Sequence, residues 1–156
     1  MVPKTQARSK SNLSLALLLS TGSLLTGCVV HHYTSPAING IITRQGQPSA
    51  GTTVSLTHFE SNVQTTRTDA AGRFAFDAQG EWQVFIPVGP QDRLTRWSVI
   101  IAQPPGTITG YESGGIGGVF SGYSRHDQIT LRCNISANDR NSVNPENTPV
   151  CREINP

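Results

Sequence analysis

Thr68-Asp69-Ala70-Ala71-Gly72-Arg73-Phe74-Ala75-Phe76 decides how this chain folds. Asp69 can accept hydrogen bonds from backbone N–H groups inside its own turn, and Gly72 can take a positive φ where the chain reverses. Phe74 and Phe76, two positions apart, then share one face of a strand and enter a core. The stretch is therefore a reverse turn that launches a half-buried strand. Outward from it, apolar alternations recur in Val54/Leu56, Trp82/Val84/Ile86, Trp97/Val99/Ile101 and Ile129/Leu131/Cys133. Each set is expected to put one face into the core and the other toward water. Gly46-Gln47-Pro48, Ala71-Gly72, Gly89-Pro90 and Pro104-Pro105-Gly106 punctuate the run, and helical periodicity is nearly absent. Strands are expected near 37–43, 53–58, 63–68, 73–77, 82–87, 96–102 and 128–134. About seven short strands at this spacing point to an all-β sandwich.

Ile38-x-Gly40-x-Ile42, Gly46-Gln47-Pro48, Gly51-x-x-Val54-x-Leu56 and the Thr68–Phe76 turn together resemble a carboxypeptidase regulatory-like domain. The resemblance covers roughly residues 37–88 and implies a transthyretin-like (prealbumin-like) sandwich. It further implies an accessory module that assists folding, packs beside enzymes or binds partners, with no active site of its own. No peptidase is attached here for such a module to regulate, and a fold does not by itself assign a function.

The N-terminus reads as a secretory signal. Lys4, Arg8 and Lys10 form a positive region with no acidic residue before Cys28. Leu13 to Leu25 is an apolar run broken by Ser14, Ser20, Thr21, Gly22 and Ser23, too short between its flanks for a membrane-spanning helix. Leu25-Thr26-Gly27-Cys28 resembles the lipobox of bacterial lipoproteins. That resemblance implies diacylglycerol on the Cys28 sulfur, cleavage before it and acylation of the new amine. Two or more acyl chains anchor stably, since each buried methylene contributes about 0.8 kcal/mol. Residue 29 is Val, not the Asp that resembles inner-membrane retention in enterobacterial lipoproteins, which points to the outer membrane and its periplasmic face.

Cleavage changes the composition. Of 12 basic side chains the signal removes three, leaving nine arginines and no lysine against ten acidic residues. The arginines are scattered, so no nucleic-acid footprint is expected. With Cys28 lipidated, Cys133 and Cys151 remain as a pair in an oxidising compartment; the alternative is two free thiols. A bond closing that loop stabilises by about 3 kcal/mol in the chain-entropy model. The expected organisation is a signal peptide at 1–27, a lipidated tether at 28–36, the sandwich at 37–135 and a disulfide-tied polar segment at 136–156.

Two stretches break the strand rhythm. Residues 136–150 are rich in Asn, Ser and Pro. Residues 103–126 carry seven glycines with Tyr111, Phe120 and Tyr123 interleaved. The plainer reading of 103–126 is a mobile loop with one more short strand near 118–121; a separate reading has its aromatics merely complete the core. The sharper reading makes Tyr111, Phe120 and Tyr123 anchors for a protein partner, because aromatics bury large area at low entropic cost.

Chemistry-bearing constellations are scarce. His31-His32, adjacent on an extended tether, point in opposite directions and chelate poorly; His58 and His126 stand alone as surface or strand-face residues. There is no G-x-S-x-G elbow, no P-loop and no acidic calcium loop. Gly114 to Gly122 is not a dinucleotide fingerprint, because Phe120 occupies its third glycine position. Glu60, Asp69, Asp77, Glu81 and Glu112 lie on different turns. No enzyme activity, cofactor or metal is expected. The function class is a membrane-anchored, non-catalytic periplasmic binding or structural lipoprotein whose partner is an unidentified envelope protein. Its alternatives are an accessory lipoprotein of an envelope secretion machine and an inhibitor or immunity protein against a periplasmic hydrolase.

Overall fold

The structure is a computed structural model that describes residues 28–85, 89, 92–118, 121–136 and 150–154. The expected signal peptide at 1–27 lies outside the described residues. The elements are all strands: β1 (Cys28–Ser35), β2 (Ala37–Arg44), β3 (Gln47–Pro48), β4 (Thr53–His58), β5 (Ser61–Arg67), β6 (Arg73–Phe76), β7 (Gln79–Phe85), β8 (Arg93–Gln103), β9 (Gly106–Gly117), β10 (Gln128–Ile135) and β11 (Cys151–Glu153). One sheet runs β11-β10-β2-β3, with β6 also on β2, and a second runs β5-β4-β8-β9. The β2–β10 pair is parallel, Ile38 opposite Ile129 and Ile42 opposite Cys133, while the other pairs of these two sheets are antiparallel. The chain falls into two compact units, one holding 28–30 with 83–85 of the described residues and the other the remainder.

Alternation builds the sandwich of the second unit. Ile38 and Ile42, Val54 and Leu56, Phe74 and Phe76, Trp97, Val99 and Ile101, and Leu131 and Cys133 all turn inward, joined by Ile108, Ile135 and Cys151. Removing these side chains from water supplies the main driving force, about 25 cal/mol per Å² of apolar surface. The Asp69 turn forms as its residues require. Asp69 Oδ1 accepts from the backbone N–H groups of Ala71 and Arg73, both at 2.8 Å. Gly72 sits at φ 73°, and its carbonyl accepts from Ile42 N–H at 2.8 Å, tying the turn to β2.

Four expectations are corrected. Residues 28–35, expected as a tether, form β1 and pair with β7 in a two-stranded ribbon. Thr34 Oγ1 donates to Gln79 O at 3.3 Å, and the His31 ring meets that of Trp82, so the two strands run in opposite directions. Along β7 itself, Trp82 and Val84 were expected inward but are 72% and 67% exposed. Alternation shows that a strand has two unlike faces; which face is covered depends on the strand it pairs with. Residues 103–126 are not a loop, because Gly106–Gly117 is β9, paired with β8 from Gln103↔Gly106 to Arg93↔Gly117. Glycines depress strand propensity, yet here one marks close packing: a Cβ at Gly110 would stand 2.7 Å from Cys151 Sγ and 2.9 Å from Ile101 Cδ1. The short strand expected near 118–121 is absent at Gly118 and Ser121, its other residues lying outside the described ones.

The fourth correction concerns the C-terminal boundary. Cys133 and Cys151 are directly opposite in the β10–β11 register and form a disulfide, with Cα atoms 3.9 Å apart. The sandwich therefore extends to Glu153 rather than stopping at 135. Most of the polar excursion at 136–150 lies outside the described residues.

Candidate functional site

Tyr111 on β9 and Tyr123, beyond it, meet on one buried ring. Trp97 of β8 is 1% exposed, and its centroid lies 5.4 Å from Tyr111 and 6.3 Å from Tyr123. The indole N–H of Trp97 donates to Tyr123 Oη at 2.9 Å. Tyr111 Oη donates to Glu153 Oε2 at 3.2 Å, and both tyrosines pack partly buried against the core. Burial, reinforced by the Glu153 charge, raises the Tyr111 phenol above its ordinary value. These two side chains therefore pack against the core around Trp97. Phe120 lies outside the described residues. An Asp127 clasp, with Ser124 N–H and Oγ donating to its carboxylate at 2.7 and 2.9 Å, helps hold the segment that carries Tyr123 and lowers the pKa of that acid.

Beside these aromatics lies a histidine that the sequence reading set aside. On β1, the His31 ring stands edge-on between Tyr33 (4.6 Å) and Trp82 (4.8 Å). Its neighbour His32 faces the other way and is 7% exposed, hard against the backbone of Gly122. His32 Nε2 is buried without a hydrogen-bond partner, as is His58 Nε2. Desolvation lowers the pKa of His32, with help from Arg93, His31 and His58 and against the attraction of Glu81. A histidine held neutral in the fold protonates first in the unfolded chain, so its stabilisation is present above the unfolded value and lost as pH falls below it. The melting temperature should accordingly drop between about pH 7 and pH 5, and His32→Gln should flatten that dependence. Identical pH profiles for the two proteins would remove His32 as the cause. Among the described residues no group of three His, Cys, Asp or Glu side chains is placed to hold a metal ion.

The most site-like concavity lies elsewhere. A groove of about 530 Å³ is lined by Asn39 and Ile41 of β2, Thr66 and Arg67 of β5, Asp69, and Arg73 and Ala75 of β6. Among the described pairings β5 bonds only to β4 and β6 only to β2, so the groove opens between two sheet edges. Its floor includes the buried Phe74, and its rim carries the exposed guanidinium-bearing residues Arg67 and Arg73. The Asp69 carboxylate is occupied by its own turn. The surface thus combines an apolar floor, unpaired strand edges and positive charge, which suits an extended peptide with acidic side chains. Nothing in the residue pattern marked this groove in advance, because β5 and β6, though consecutive in the chain, join different sheets and leave facing edges.

No family model matches the chain, and no curated protein matches it. Among solved structures it is similar to that of Klebsiella pneumoniae 5-hydroxyisourate hydrolase, at 15% identity, with a TM-score of 0.37, over 64% of this chain and 89% of that one. A likeness of that degree carries no activity across. The architecture rests instead on the chain's own strands, which form the all-β, two-sheet sandwich that its alternation pattern predicted.

Proposed function

We propose that this chain is a lipid-anchored, non-catalytic binding module of the bacterial envelope, held at the periplasmic face of the outer membrane through Cys28. It receives an extended, acidic segment of a partner protein in the groove between β5 and β6. The observation that supports binding most directly is that groove: two open strand edges about an apolar floor, with Arg67 and Arg73 at its rim. The anchor is supported by Leu25-Thr26-Gly27-Cys28 following an apolar run.

Both halves of the proposal have direct tests. Cys28→Ser should abolish labelling by radioactive palmitate and leave the precursor uncleaved; equal labelling of wild type and variant would overturn the anchor. A photo-crosslinking residue at Thr66, in the groove, should capture an envelope protein that the same residue at Ser55, outside it, does not. Arg67→Glu with Arg73→Glu should abolish that capture while leaving the unfolding free energy within about 0.5 kcal/mol of wild type for each substitution, as for exposed positions generally. Capture that is equal at both sites, or survives the charge reversal, would overturn the groove as the binding surface.

A further inference from the structure

Strand register lays three arginines in one line across the outer face of the first sheet. Arg152 of β11 stands opposite Arg132 of β10, Arg132 opposite Ile41 of β2, and Ile41 opposite Arg73 of β6. Residues opposite one another in a sheet share a face, and the chain neighbours Cys151, Leu131, Cys133 and Phe74 are buried on the other. All three arginines are exposed, as is Ile41 between them at 37%. The next positions on that face are uncharged: Asn39, Ala75 and Thr130 on one side, Thr43 and Asn134 on the other. Among the described residues none of the three guanidiniums pairs with a carboxylate. Single exposed arginines are ordinary surface, but like charges directly opposite across two strands are destabilising. The fold nevertheless fixes that arrangement. Strand β11 has three residues, and its Cys151, beside Arg152, is bonded to Cys133, beside Arg132. The disulfide therefore holds the two arginines in register against their mutual repulsion.

We propose that this row continues the groove: the acidic segment received between β5 and β6 passes over Ile41 and lays clustered carboxylates on Arg73, Arg132 and Arg152. The inference rests on the groove as the binding surface and adds the acidic pattern of the partner. The groove itself leads there, since its lining runs from Arg73 over Ile41 and Asn39 to Thr130. Thr130 lies two residues before Arg132, on the same face of β10. Neighbouring strands are about 4.8 Å apart, so Arg73 and Arg152, three spacings apart, stand about 14 Å from each other. An extended chain advances about 3.4 Å per residue, so about five residues cover the row. The partner segment thus carries a cluster of Asp or Glu within about that length. Each guanidinium fork can meet a carboxylate through paired N–H···O bonds. A peptide fits this face better than a phosphate does. Phosphate sites draw on free backbone N–H groups at helix N-termini or nests, whereas β2 and β10 are interior strands bonded on both sides. Ile41 and the groove floor also offer apolar contact to a peptide's other side chains.

Fluorescence anisotropy of a fluorescein-labelled oligoglutamate peptide reads the inference directly. It is mixed with the purified full-length protein at low ionic strength, where exposed pairs are least screened, and an oligoglutamine peptide is the blank. Arg132→Gln with Arg152→Gln should weaken oligoglutamate binding about five- to tenfold, within the range of two exposed ion pairs. Removing opposed like charges should leave the melting temperature unchanged or raise it, so a loss of binding is not a loss of fold. Arg96→Gln with Arg125→Gln removes equal charge from the other sheet and from the turn before β10, and should bind as wild type does. Arg67→Gln with Arg73→Gln reports on the groove. If that pair weakens binding and the Arg132, Arg152 pair does not, the row is refuted and the groove stands. If the Arg132, Arg152 pair alone weakens it, or neither does beyond the control, groove and row fall together as one surface. Row-dependent binding to phosphatidylglycerol vesicles that is tighter than to oligoglutamate would overturn a peptide as the occupant.

Discussion

Replacing Tyr111 and Tyr123 together by Ser should lower the stability of the domain by about 4 kcal/mol, since truncation of core aromatics costs about 3–5 kcal/mol. Two half-buried rings are lost from the faces of Trp97, and the indole N–H of a residue 1% exposed loses its acceptor. An unsatisfied buried donor alone costs about 1–3 kcal/mol. For a domain of this size the melting temperature should fall by roughly 12–20 °C. Each single variant should be milder, and the two non-additive, because both rings touch Trp97. Thermal unfolding with partner capture separates the two roles drawn from the sequence. Unchanged stability with loss of a crosslinked partner would reinstate these tyrosines as contact anchors. Retention of both would leave them with no role in either.

Gly72→Val should be the other severe change, beside a nearly silent Ala71→Val. At φ 73° a β-branched residue is strained by about 1–3 kcal/mol. The added Cβ would also collide with the Ile42 carbonyl oxygen, a backbone atom of β2 that cannot rotate away, and press Ser49 N at 3.1 Å. A total loss above about 3 kcal/mol is expected, since overpacking adds to the backbone strain. Ala71 is exposed, so its substitution should stay within about 0.5 kcal/mol. Equal melting temperatures for the two variants would mean that the reversal does not depend on a left-handed residue at position 72.

What could be read in the sequence was whatever is decided within a few residues. The Asp69–Gly72 reversal was legible because its hydrogen bonds close inside five residues, and the inward faces of β2, β4, β6, β8 and β10 because alternation is a local property of a pleated strand. The Cys133–Cys151 pair was legible by cysteine count and the compartment that the sequence led one to expect. The turn of the β4–β5 hairpin was not, since Phe59 and Glu60 take positive φ where Gly or Asn is the usual mark. Only tertiary structure decided the rest. A glycine-rich stretch became β9 because β8 supplies its hydrogen-bond partners along its whole length and because Gly110 fits against Cys151 and Ile101. Trp82 and Val84 turned outward because β7 pairs with β1, more than forty residues away, rather than within either sheet. The alternation of a strand names its two faces, and the partner brought to it by the fold determines which of them meets water.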